Sequence, residues 1–79
     1  MNVSGVLLAC QPAHIAQITR AVNALGWAEV HFTEATGRMV VTIEADSTRQ
    51  SMDRLTELKA LPRVISAEMA EYRIGETTP

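Results

Sequence analysis

Few side chains in this sequence could carry covalent or proton-transfer chemistry. There is one cysteine, Cys10, and there are two histidines, His14 and His31. A cysteine nucleophile needs a histidine beside it and a further group to orient that histidine. His14 falls early in a helical segment and His31 on a strand, so nothing in the spacing brings either to the thiol. Cys10 reads as a small hydrophobe closing an apolar run. Metal chemistry has no better footing. The sequence has no Cys-x-x-Cys pair, no histidine pair at helical spacing and no acidic loop of calcium type. Met39, Met52 and Met69 read as core filling. What remains is recognition chemistry. The carboxylates Glu29, Glu44 and Glu68 sit on strand-like stretches among small and apolar neighbours, where they could meet a cationic partner. Glutamate on a solvated strand is also ordinary, and edge charges discourage aggregation.

The elements that must position these carboxylates follow from the hydrophobic pattern. Val3 to Cys10 is a short apolar run that fits a strand buried on both faces. Pro12 suits the first turn of a helix. From there to Leu25, Ile15, Ile18, Val22 and Leu25 recur at steps of three and four and form one stripe. Gly26 is placed for a left-handed cap. Ala28 to Thr33 alternates as a second strand, with Val30 and Phe32 on one face and Glu29 and His31 on the other. Glu34-Ala35-Thr36-Gly37 is a turn leading into the third strand, through Glu44. Ser47 with Gln50 matches a capping box. A second helix follows, with Met52, Leu55 and Leu58 as its stripe, Leu61 closing it and Pro62 ending it. Val64 to Tyr72 is the fourth strand, and the tail from residue 74 to residue 79 is polar.

Strand, helix, strand, strand, helix, strand is the pattern of an α+β ferredoxin-like sandwich. Right-handed crossovers place both helices on one face of a four-stranded antiparallel sheet, with strand order 4-1-3-2. The 79 residues make a single domain with an ordered core over about residues 3–73. Net charge is −2, which leaves no basic footprint for nucleic acid. No apolar segment approaches the roughly 20 residues of a membrane span. One cysteine points to a reducing compartment, and no cationic stretch precedes the first apolar run as in a signal peptide. The expected location is the cytoplasm.

Two helices cover one sheet face and leave the other open. Strand parity assigns Val6, Leu8, Val30, Phe32, Met39, Val41, Ile43, Ala67 and Met69 to the helix side. The open side then carries Gly5, Leu7, Ala9, Glu29, His31, Arg38, Val40, Thr42, Glu44, Ser66, Glu68, Ala70 and Tyr72. Its middle is apolar, its rim is acidic, and Gly5 and Ala9 are small enough for another chain to approach closely. Such a trough suits a cationic amphipathic helix.

A fold shared by many functions assigns none of them. An RNA-recognition sheet presents aromatic residues on its open face, whereas this face offers chiefly Tyr72. A heavy-metal-carrier domain needs paired cysteines in the first loop. A phosphate-binding loop, as in an acylphosphatase-like hydrolase, needs glycines and a basic residue before the first helix. An amino-acid-sensing regulatory module, the alternative reading, usually has Gly after the loop proline, where this chain has Ala13.

The stretch from Ser4 to Pro12, the hairpin strand Gly37-Arg38-Met39-Val40-Val41-Thr42-Ile43-Glu44-Ala45, the segment Val64-Ile65-Ser66-Ala67 and the tail Gly75-Glu76-Thr77-Thr78-Pro79 together resemble the NapD family. Where the family usually has Gly-Val entering the fourth strand, this chain has Arg63-Val64. The usual Val-Tyr-His ending appears as Ala70-Glu71-Tyr72. The resemblance implies a small cytoplasmic chaperone, not an enzyme, that needs no cofactor. Its partner would be the twin-arginine signal peptide of the molybdenum-containing periplasmic nitrate reductase catalytic subunit. It would bind that peptide as a helix on the sheet and hold back export until the cofactor is inserted. The implied binding residues are those of the open face: Gly5, Leu7, Ala9, Glu29, His31, Val40, Thr42, Glu44, Ser66, Glu68, Ala70 and Tyr72.

Overall fold

The computed structural model describes residues 2–70. Strand β1 (Asn2–Cys10) leads through a 3-10 turn (Pro12–His14) into helix α1 (Ile15–Asn23). Strands β2 (Ala28–Thr33) and β3 (Arg38–Ala45) form a hairpin. Helix α2 (Thr48–Ala60) and strand β4 (Val64–Ala70) follow. The sheet is antiparallel with order β2-β3-β1-β4, as the crossover rule predicts.

The core fills the space between the sheet and the two helices. Val6 and Leu8 from β1, Met39, Val41 and Ile43 from β3, and Ala67 from β4 point into it. Ile18 and Val22 of α1, with Leu55 and Leu58 of α2, close over them. Register fixes this parity. Val6 pairs with Val41 and Met69, and Leu8 with Met39 and Ala67. A slip of one residue would turn all of these side chains to water.

The first helix is shorter than its stripe suggests. Pro12 has no N–H and Gln11 contributes no side-chain cap, so the chain first tightens into the 3-10 turn, in which His14 N donates to Gln11 O at 2.9 Å. The helix ends at Asn23, whose side-chain Oδ1 accepts from Val30 N at 3.0 Å on edge strand β2. Gly26 then turns the chain at φ +86°. The start of α2 is as expected: Ser47 Oγ accepts from Gln50 N, and Gln50 Oε1 accepts from Asp46 N. Met52, expected in the buried stripe, is 51% exposed. The buried line of α2 runs through Ser51, Leu55 and Leu58, and Met52 lies one residue round the helix from it.

Candidate peptide-binding face

Antiparallel partners lie side by side on one face, so the register builds the open face in rows. At one end Glu44 sits beside Val3. The next row is Glu29, Thr42, Gly5 and Ala70, reading across β2, β3, β1 and β4. The third is Phe32, Val40, Leu7 and Glu68. The last holds Arg38, Ala9 and Ser66. Each paired residue assigned to this face by alternation therefore lies on it; His31 has no partner in the register, and Tyr72 falls outside the described residues.

Phe32 is the correction. Alternation puts it on the helix side, yet it pairs with Val40 and is 55% exposed. The cause is a β-bulge. Val30 pairs with Val41, His31 is the extra residue, and the pairing resumes one position later. Phe32 is thereby turned out beside Val40 and Leu7, the latter 57% exposed. The three make an apolar bar across three strands. Its width of two strand spacings, about 10 Å, is close to the diameter of an α-helix. A second bulge lies opposite Ala9 and Cys10. It leaves Ile65 as the extra residue of β4, also exposed.

The bulge also sets His31. Its Nε2 shares a hydrogen bond with Thr42 Oγ1 at 2.8 Å and lies 3.8 Å from Glu29 Oε1. Thr42 is only 6% exposed. Its hydroxyl is engaged by the His31 ring and little of it faces solvent. Gly5, in the same row, is also buried. The floor of the trough is thus sunk at Gly5 and Thr42, and its walls stand at Leu7 and Phe32.

The acidic end is a cleft of about 300 Å³ between Asn23, Gly26 and Trp27 on one side and Glu29, Thr42 and Glu44 on the other. Glu44 N donates to Trp27 O at 2.8 Å, which closes the sheet at this end. Arg54 reaches round from α2. Its guanidinium lies 5.1 Å from the Trp27 ring centroid and donates to the Glu44 carbonyl. The Glu29 and Glu44 side chains are exposed.

The sequence pattern of the NapD protein family matches residues 1–73. This chain belongs to the NapD family. Its fold is similar to the solution structure of the E. coli Tat proofreading chaperone protein NapD, with a TM-score of 0.81 at 21% identity, over 98% of this chain and 85% of that one. Among curated proteins no significant match to the sequence emerges.

In this NapD-family chain the sheet separates Cys10 from His31. Cys10 is buried on the helix side, its Sγ 4.0 Å from Met39 Sδ, and burial pushes its thiol pKa up. His31 lies on the opposite face, hydrogen-bonded to Thr42. A raised pKa leaves less of the nucleophilic thiolate. Recognition is what the open face is equipped for. It combines an apolar bar, small residues at Gly5 and Ala9, and exposed carboxylates at Glu29, Glu44 and Glu68.

Proposed function

We propose that the chain is a chaperone without catalytic activity of its own, which captures the twin-arginine signal peptide of a periplasmic nitrate reductase catalytic subunit on its open sheet face. The peptide folds there into an amphipathic helix. Leu7, Val40 and Phe32 meet its apolar stripe, and Glu29, Glu44 and Glu68 meet its arginines and lysines. While the peptide is held, export of the client waits for insertion of the client's molybdenum cofactor. The chaperone needs no cofactor and works in the cytoplasm, where the signal peptide first appears.

The observation that carries this reading is the apolar bar Phe32–Val40–Leu7, exposed at Phe32 and Leu7 and half-buried at Val40, inside an acidic rim. Apolar side chains this exposed on a sheet face mark an interaction surface when they are contiguous and rimmed by polar residues. Family membership and the fold's likeness to a Tat proofreading chaperone support a chaperone role toward a Tat-dependent client. No helix among the described residues is long and apolar enough to cross a membrane. Because the peptide orders as it binds, part of the contact energy is spent on that ordering and affinity is moderate. Moderate affinity permits release.

Titration of the isotope-labelled protein with a synthetic twin-arginine peptide tests the proposal. Amide shifts are expected at Leu7, Val40, Phe32, Thr42 and Glu68. Shifts gathered on α1 and α2, or no saturable binding, would sink it.

A further inference from the structure

The open face is electrically polar along its strands. One end carries Glu29 at the start of β2, Glu44 at the end of β3 and Asp46 just beyond, all exposed. The other end carries Arg38 at the start of β3 and Arg63 just before β4, both exposed. Each end also carries opposing charge, and at the basic end Glu68 stands one row from Arg38. At the acidic end Arg54 lies against Trp27 and the Glu44 carbonyl. At the basic end the Glu34 side chain, in the hairpin turn, accepts from Thr36 Oγ1 at 3.2 Å. Arg38 has no carboxylate within ion-pair distance among the described residues.

Between the two ends runs an uncharged track. Val3, Gly5, Leu7 and Ala9 follow one another along the open side of central strand β1. Arg38 and Glu44 lie six residues apart on adjacent strand β3, about 20 Å at the rise of a β-strand. A helix of about 13 residues spans that length. Laid across the four strands it would have only about 15 Å of sheet beneath it. The track, the length and the charges therefore favour an axis along β1.

A helix brings its own polarity: roughly half a positive charge at its N-terminus and half a negative charge at its C-terminus. A peptide whose basic residues lie at its start adds to the first of these. We infer that the guest helix docks in one direction, with its cationic N-terminal turns over Glu29 and Glu44 and its C-terminal end toward Arg38. The cleft between Trp27 and Glu44 then receives an N-terminal arginine of the guest, and Arg38 faces the free carbonyls of its last turn. The reverse direction sets arginines against Arg38 and Arg63, and carbonyls against Glu29 and Glu44.

This inference rests on the proposed binding of a cationic helical peptide, and the test separates the two. A synthetic nitrate reductase twin-arginine peptide is given a nitroxide at its N-terminus or, in a second preparation, at its C-terminus, and each is added to isotope-labelled protein. The N-terminal label is expected to broaden the amides of Glu29, Thr42 and Glu44 and to spare those of Arg38, Ala9 and Ser66. The C-terminal label is expected to do the opposite. Unlabelled peptide that shifts the open face, together with labels giving the reversed pattern or equal broadening at both ends, overturns the direction while leaving peptide binding intact. Absence of open-face shifts with unlabelled peptide removes both.

Discussion

Phe32 lies opposite Val40, one position out of the register that Val30 and Val41 set. In regular pairing Phe32 would face Met39 and join the core. The extra residue, His31, turns it to the open side, where Leu7 continues the row on the next strand. A large ring is thus held in solvent by backbone geometry. Stability does not ask for this, since the core is already closed by Met39, Val41 and Leu8.

Phe32→Ala should therefore separate binding from folding. Loss of an aromatic contact from the proposed interface is expected to weaken peptide affinity about tenfold, roughly 1.4 kcal/mol. The thermal midpoint should move little, because the ring is more than half exposed. Calorimetric titration beside thermal unfolding checks both halves. An unchanged affinity would mean that the bar is not the contact surface.

The bulge explains what could be read from the sequence and what could not. Alternation places Val6, Leu8, Met39, Val41 and Ile43 in the core because strand side chains repeat every two residues, and those strands are regular there. The same rule fails at Phe32, because a bulge inserts one residue into the count without any composition of its own. Thr42 is a different case. Its face follows from alternation, but its burial depends on where the His31 ring settles, a three-dimensional contact between strands. Met52 failed for a third reason. Met52 and Ser51 are adjacent on the helix, and hydrophobicity favoured the methionine over the serine that faces the core.

Gly37 is the backbone position least able to change. Its φ is +103°, and a Cβ there would sit 1.9 Å from the Cys10 carbonyl oxygen. The close approach is needed because Cys10 N donates to Gly37 O at 2.9 Å, which ties the hairpin to the end of β1. Gly37→Ala combines a disfavoured dihedral with a clash against backbone, which cannot rotate away. A loss of about 2 kcal/mol or more is expected, with a thermal midpoint lower by roughly 10 °C for a domain this size. Urea unfolding measures it. Stability equal to wild type would contradict the described approach of Gly37 to Cys10.

Cys10 should make the fold sensitive to alkali. Burial raises its thiol pKa above the ordinary 9.0, so the native state holds the proton more tightly than the unfolded state does. Its contribution is complete below about pH 9 and is lost as pH rises through the higher folded value. Wild type should lose more stability between pH 7 and pH 10 than Cys10→Ala, which has no thiol to ionise. Paired denaturant titrations at the two pH values give the difference, and equal losses would show that the thiol is not held protonated by the fold.

Glu44 and Glu29 should govern binding in a salt-dependent way. Both are exposed, so each pair with a guest cation is weak, typically below about 1 kcal/mol. Reversal to lysine removes an attraction and adds a repulsion, so Glu44→Lys is expected to weaken the twin-arginine peptide roughly three- to tenfold at low salt. Near 0.15 M salt the screening length is about 8 Å, against about 30 Å at 0.01 M, and the gap between variant and wild type should narrow. Asp46→Lys supplies the contrast. It changes the same net charge, but beyond the end of β3 and off the rows of the open face. Titrations of all three proteins at the two salt concentrations read both effects. A local contact predicts that Glu44→Lys weakens binding more than Asp46→Lys at both concentrations. Equal losses would assign the effect to the overall field of the protein.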